Sequence, residues 1–234
     1  MVMLVHPWDA PASDAEWQAW LVDHDFGQLA VNGLPGEPPY IQPTHFVYDA
    51  DAGPRGRVLL HLARPNPLWA ALDANPDVVL SVVDDYVFVP GPWGAAPDAP
   101  PEHGVPTSFY AAVQLRCTAR VVDDPAEKAA LLNRQVGHFQ PDGGSATTTP
   151  GEAPFGRLLS GIRGLSLEVV DVQAKFKYAH HKPLEVQDRI AANLKERGGP
   201  RDEAALEHQL RGRTRGVVSP SRGVPPAPLE LGGV

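Results

Sequence analysis

Val58-Leu59-Leu60-His61-Leu62-Ala63-Arg64-Pro65-Asn66-Pro67-Leu68-Trp69 is the stretch whose reading decides the fold. Its first half is a Val and Leu run interrupted by one histidine, which is the pattern of a buried strand. Its second half breaks at two prolines. Asn66 followed by Pro67 reads as an N-cap with proline at the first helical position, and the helix continues through Trp69 and Leu72 to about Asn75-Pro76. A histidine on such a strand has two readings. It is a core imidazole with a backbone partner, which is the commoner outcome for an isolated case, or it is a ligand or proton donor facing a cofactor pocket. Residues next to a helix start are placed to offer donors to an anion.

Outward from that stretch the chain alternates strands with short helices. Ser13 and Glu16 form a capping-box pattern before a helix over 14–24. Strands are expected over 26–31, 40–48 and 57–63, separated by the turns Asn32-Gly33, Pro35-Gly36 and Gly53-Pro54. Val78 to Val89 reads as one long or bent strand and Ser108 to Val122 as another. Between them, residues 90–106 form a long Pro-, Gly- and Ala-rich loop in which Trp93 is the expected anchor. Asp124, Pro125 and Glu127 mark the start of a helix running to Phe139. Residues 141–154 read as mobile, and 155–160 as a short helix. A strand from about Leu165 could continue to Tyr178, and helices follow over 183–197 and 202–210. About six strands with helices at their edges point to a closed β-barrel. The expected organisation is a cofactor-binding barrel domain over 1–197, an additional helix over 198–211, and a disordered tail over 212–234.

Composition narrows the function. The chain has 234 residues, 43% of them hydrophobic, and a net charge of −8, which disfavours nucleic acid as a partner. The single cysteine, Cys117, rules out an intrachain disulfide and a cysteine-built metal site, and reads as a small packed side chain. No secretory pattern opens the sequence and no run approaches a membrane helix, so a cytoplasmic protein without membrane contact is expected. No GxGxxG, P-loop, HExxH or GxSxG motif occurs.

Three segments occur in order: His61 to Trp69, Val105-Pro106-Thr107-Ser108-Phe109-Tyr110-Ala111-Ala112-Val113, and Lys175-Phe176-Lys177-Tyr178. Together they resemble the PaiB family of FMN-binding negative transcriptional regulators, over most of residues 1–197. The resemblance implies an α+β fold, an FMN-binding-like split β-barrel with peripheral helices, similar to pyridoxamine-phosphate oxidases. It also implies a homodimer with two cofactor sites at the subunit interface. Two departures stand out. The family's Val-Pro-Thr-Trp-Asn-Tyr run has Ser108 and Phe109 after Thr107, and its Lys-Trp-Lys-Leu-Ser-Gln-Asn run is here Lys175-Phe176-Lys177-Tyr178-Ala179-His180-His181. The exchanged side chains are those that would stack on and hydrogen-bond a flavin. The chain is thereby also similar to the haem-dependent piperazate synthases, relatives of PaiB that close an N-hydroxylated ornithine into a cyclic hydrazine by forming an N–N bond.

On this resemblance the cofactor is haem b, with FMN as the alternative, and the substrate is a small molecule. His61 is the expected ligand of the haem iron, since neutral imidazole binds iron well. Arg64 is the expected partner of a propionate or of the FMN phosphate. Asn66, His45, Thr107 and Lys175 complete the expected cofactor contacts, and Tyr110 and Lys177 are the candidate catalytic groups. Each has a plain alternative: His45 as a structural residue, Tyr110 as a half-buried barrel residue, Lys175 and Lys177 as solvated lysines. A flavin-dependent oxidoreductase or a flavin-binding regulator remains the competing function.

Overall fold

The computed structural model describes residues 3–213. Seven antiparallel strands form one sheet in the order β2-β1-β5-β6-β7-β4-β3. The strands are β1 (Phe26–Val31), β2 (Tyr40–His45), β3 (Val47–Asp49), β4 (Arg57–Ala63), β5 (Asp77–Val89), β6 (Thr107–Val122) and β7 (Ile162–Lys177). The two outermost strands, β2 and β3, are consecutive in the chain and separated only by Phe46. One continuous segment therefore supplies both edges of the sheet and closes it into a barrel, which removes the exposed edges of an open sheet. The single extended segment expected over 40–48 is split here. Phe46 is fully buried and its backbone N–H bonds to the Asp25 carbonyl, so the chain leaves β1 and joins β4 at that residue.

The barrel interior is filled rather than hollow. Val58, Leu60, Leu80, Val113, Leu115, Leu165 and Leu167 alternate inward from β4 to β7 and are all fully buried, with Phe109 and Phe176 between them. Any ligand site must therefore lie on the outer face or at an end. Cys117 belongs to this interior, and burial pushes its thiol up to about 12. It is expected to stay unmodified by iodoacetamide at pH 8 in the folded protein and to react once urea unfolds it, which mass spectrometry reads directly.

Among the described residues five α-helices decorate the barrel: α1 (Asp14–Asp23), α2 (Leu68–Ala74), α3 (Pro125–Phe139), α4 (Leu184–Arg197) and α5 (Asp202–Arg213). α3 starts as expected, with the Asp124 carboxylate accepting from the N–H groups of Ala126 and Glu127. Glu127 does not close a capping box there; it pairs with Arg120 at 2.8 Å. At α1 the Ser13 side chain makes no cap, and Glu16 reaches back to the N–H of Ala12. α5 extends to Arg213, so residues 212 and 213 are helical, and the rest of the expected tail, 214–234, lies outside the described residues.

Both long loops are tied down. The 90–106 loop carries two 3-10 turns and is clamped to α4. Arg189 donates to the Trp93 and Ala95 carbonyls, Lys182 donates to Gly94, and Arg197 lies 5.0 Å over the Trp93 ring. The 141–154 segment, expected to be mobile, is held by Asn133, whose amide bonds both the N–H and the carbonyl of the buried Thr148.

Candidate functional site

The expected site residues fall into two groups, both on the outer face of the barrel. On β4 the even-numbered residues 58, 60 and 62 point inward, so His61 points out and lies half-buried beneath α3. Its Nδ1 is 2.6 Å from Oε1 of Gln135, a buried residue of α3. The Gln135 amide nitrogen donates to the Leu59 carbonyl at 3.4 Å, so its oxygen is the atom that faces the ring. An amide oxygen only accepts, so His61 donates from Nδ1–H, and in the neutral ring the lone pair then lies on Nε2. That is the tautomer a metal-ligating imidazole needs, with the second ring nitrogen fixed by a hydrogen bond. Gly164 sits opposite His61 on β7, and a side-chain carbon there would lie 3.1 Å from Leu131 and Val122, so its smallness lets α3 approach the sheet.

His45 packs edge-on to His61 with ring centroids 5.6 Å apart, and Phe139 covers it from α3 at 5.2 Å. Burial, then the neighbouring His61, lowers the His45 pKa and keeps this ring neutral at pH 7. Next to them His138 pairs with Asp25 at 2.7 Å.

Arg64 and Asn66 do other work. His61 and Arg64 are three residues apart, an odd spacing that cannot place both on one face of a strand. Arg64 lies past the end of β4. Its guanidinium bonds Asp123 at 3.2 Å and the Ser160 and Ile162 carbonyls. Asp123 is shared with Arg163 at 2.6 Å; Arg163 first, and then Arg64, hold its carboxyl below the usual range. The Asn66 oxygen accepts from the Leu68 N–H at 3.1 Å just ahead of α2, where Pro67 and not Asn66 takes the cap position, while its nitrogen donates to Gln42. The structural reading of the proline-rich turn is the one realised by these two side chains.

The second group lies at the start of β6 and the end of β7. Tyr110 and Lys177 are cross-strand partners, and Lys177 donates to the Thr107 hydroxyl at 2.9 Å. Lys175 and Lys177 each place their ammonium 5.8 Å from the Tyr110 ring centroid. Lys175 is almost fully buried, donates to the Leu4 carbonyl at 2.8 Å and stands 4.0 Å from the buried Asp9 carboxylate. His61 pairs with Gly164 and Tyr110 with Lys177, so 13 residues of β7 separate the groups. At ~3.3 Å per residue that is a path on the order of 40 Å along the strand. Within one subunit His61 does not face Tyr110, Lys175, Lys177 or Thr107.

Sequence reasoning missed Gln135, because a glutamine inside an amphipathic helix carries no motif. It also missed that Asp9, His6 and Trp8 meet His181, since they come from the two ends of the barrel domain and come together only in the fold. Among the described residues there is no cluster of three or more His, Cys, Asp or Glu arranged to hold a metal ion. Among the described residues no helix is long and apolar enough to cross a membrane.

The closed antiparallel barrel with outer-face sites places the protein among split-barrel proteins of the flavin-binding type. The chain belongs to the family described as "Putative FMN-binding domain", whose model matches residues 3–171. No curated protein matches the chain. Among solved structures it is similar to the flavocytochrome Anf3 from Azotobacter vinelandii, with 22% identity over 73% of this chain and 70% of that one and a TM-score of 0.55. It is also similar to a FAD and heme binding protein from Mycobacterium smegmatis, with 17% identity over 78% of both chains and a TM-score of 0.55. At these identities the likeness is one of fold.

Proposed function

We propose that this protein is a haem-binding split-barrel enzyme of the piperazate-synthase type, in which His61 would hold the iron of haem b and an N-hydroxylated ornithine is the substrate. The observation that carries the proposal is the hydrogen bond from His61 Nδ1 to Gln135, which commits Nε2 to a lone pair on the outer face. The flavocytochrome and the FAD- and haem-binding protein of the same fold support haem as a cofactor this barrel accommodates. Bound haem supplies a Lewis acid, the chemistry that weakens an N–O bond toward displacement by an amine. The chain's own residues hold the rest. Gln135 fixes the His61 ring, and the neutral His45 beside it is able to take or deliver a proton at the outer face. Phe139 packs edge-on against the His45 ring and fixes its position. A homodimer belongs to the same reading, and the outward, exposed Val83, Tyr86 and Phe88 of β5 support it as an apolar surface suited to a second copy.

The second reading is an FMN-binding protein, either a PaiB-like regulator or a flavin-dependent oxidoreductase, and the family match over residues 3–171 favours it. An absorption spectrum of protein expressed with haem precursor separates the two. A Soret band that shifts on dithionite reduction is expected, followed by conversion of N-hydroxyornithine. Flavin bands that bleach on reduction, with no Soret band, would replace the haem proposal with the flavin one.

A further inference from the structure

Where α3 leaves the outer face of the sheet, the outward residues of β4, β7 and β6 form a grid. Arg57 stands opposite Glu168 and Leu59 opposite Ser166, and Ser166 in turn stands opposite Arg120. Arg57 and Leu59 share the outward parity of His61, and Ser166 and Glu168 share that of Gly164. A groove of about 230 Å³ runs between this grid and α3, with Leu59, Val122, Ala130 and Leu131 as its apolar lining and Arg57, Arg120 and Arg134 among its walls. Arg57, Arg120 and Ser166 also line a neighbouring hollow of about 170 Å³ that reaches Glu168. Three guanidinium groups thus gather around one groove in a chain of net charge −8.

Two of the polar groups there are unspent. Among the described residues the Arg57 side chain makes neither an ion pair nor a hydrogen bond, although Glu168 is its cross-strand neighbour. Ser166 is only 7% exposed, and its hydroxyl finds no partner in the protein. A hydroxyl so enclosed is costly unless something in the groove bonds it. The other two arginines are each engaged through one nitrogen: Arg120 Nη1 with Glu127 at 2.8 Å and Arg134 Nη2 with Asp49 at 2.7 Å. A guanidinium carries five N–H donors, so both keep donors for a ligand.

We propose that this groove is a binding site, separate from His61, for a small phosphate monoester with an apolar stem. The phosphate lies over Ser166, accepts from its hydroxyl, and takes Arg57 on one side and Arg120 on the other. The stem lies along Leu59, Ala130 and Leu131, beneath α3. Three donors set around one point suit the three terminal oxygens of a phosphate, whereas a carboxylate has two oxygens and leaves one donor unmet. Glu168 lies on the same face and opposes any anion, which keeps the affinity modest and gives the site a substitution of opposite sign.

The test titrates butyl phosphate, inorganic phosphate and pentanoate into the purified full chain by calorimetry at pH 8, where the phosphates are dianions. Butyl phosphate is expected to bind about tenfold tighter than either of the others, since inorganic phosphate lacks the stem and pentanoate lacks the third oxygen and the second charge. Arg57→Gln is expected to weaken butyl phosphate about tenfold, and Ser166→Ala about fivefold, the usual worth of one hydrogen bond. Glu168→Gln tightens it, and His61→Ala leaves it unchanged. Thermal melting checks that each variant is folded. Should Ser166→Ala melt early, the exposed pair Arg57→Gln and Glu168→Gln decides the matter by their opposite signs. No binding of butyl phosphate at millimolar concentration, equal affinity for pentanoate, wild-type affinity in Arg57→Gln, or a loss that follows His61→Ala would overturn the proposal. The haem reading stands or falls separately, on the Soret band.

Discussion

Replacing Asp85 with alanine is expected to destabilise the protein by about 3–5 kcal/mol, the range for removing one partner of a buried charge network. Asp85 is buried at a bulge where β5 shifts register against β6. Its carboxylate accepts from Trp20 Nε1 at 2.8 Å, His208 Nε2 at 2.8 Å and His24 Nε2 at 3.4 Å, joining α1, β5 and α5. His24 Nδ1 also faces an acceptor, the Trp20 carbonyl at 2.7 Å, so only the protonated ring donates from both nitrogens. Burial would push the Asp85 carboxyl up, but the bonds from His208, His24 and Trp20 outweigh it and hold it far below the usual range. Burial likewise works against the charge on His24, and the bonds to Asp85 and to the Trp20 carbonyl raise its pKa overall.

The pH dependence follows from these signs. The depressed Asp85 contributes stability that is present above its unfolded value of 3.8 and is lost as pH falls through the folded pKa. The raised His24 contributes stability that is full below 6.5 and is lost as pH rises through its folded pKa. Urea midpoints are expected to decline on the alkaline side in the wild type and to lose that dependence in Asp85→Asn. The asparagine keeps the left-handed backbone at φ 53°, which an amide side chain tolerates, and costs less, about 1.5–3 kcal/mol. An Asp85→Ala protein as stable as wild type across pH 5–8 would show that the network does not hold α1 and α5 to the barrel.

On the proposed haem function, His61→Ala is expected to abolish retention of haem, leaving no Soret band after purification. The argument is the tautomer: with Nδ1 given to Gln135, Nε2 is the ring's remaining donor to iron. Gln135→Leu keeps the ligand but frees the ring, and a weaker haem affinity by 10–100-fold is expected, the usual effect of losing the hydrogen bond behind a ligating histidine. Arg64→Ala is expected to leave haem affinity near wild type, because that guanidinium is spent on Asp123 and two carbonyls. Haem titration followed at the Soret band checks all three. Full haem content in His61→Ala would exclude it as the ligand.

The sequence by itself determined the elements and the class of fold. Local rules act over a few residues, so β-branched runs, prolines and the Asp124 cap placed most strands and helices within a few residues of their positions. The aim of His61 was left open between a core imidazole and a pocket-facing ligand, and the alternating burial of β4 turns it outward. What only the tertiary structure decided is which of the named residues share a site. A path of 13 residues along β7 parts His61 from Lys177, although both motifs resemble one family's cofactor site. Arg64 and Asn66 looked like ligand contacts, but the partners that occupy them, Asp123 and Gln42, come from elsewhere in the chain. The groups that complete each cluster also come from afar: Gln135 lies 74 residues from His61, and Lys175 bonds to Leu4 across 171. No local pattern encodes such meetings. They are set by barrel closure, which brings distant stretches to one surface only after the core residues have packed.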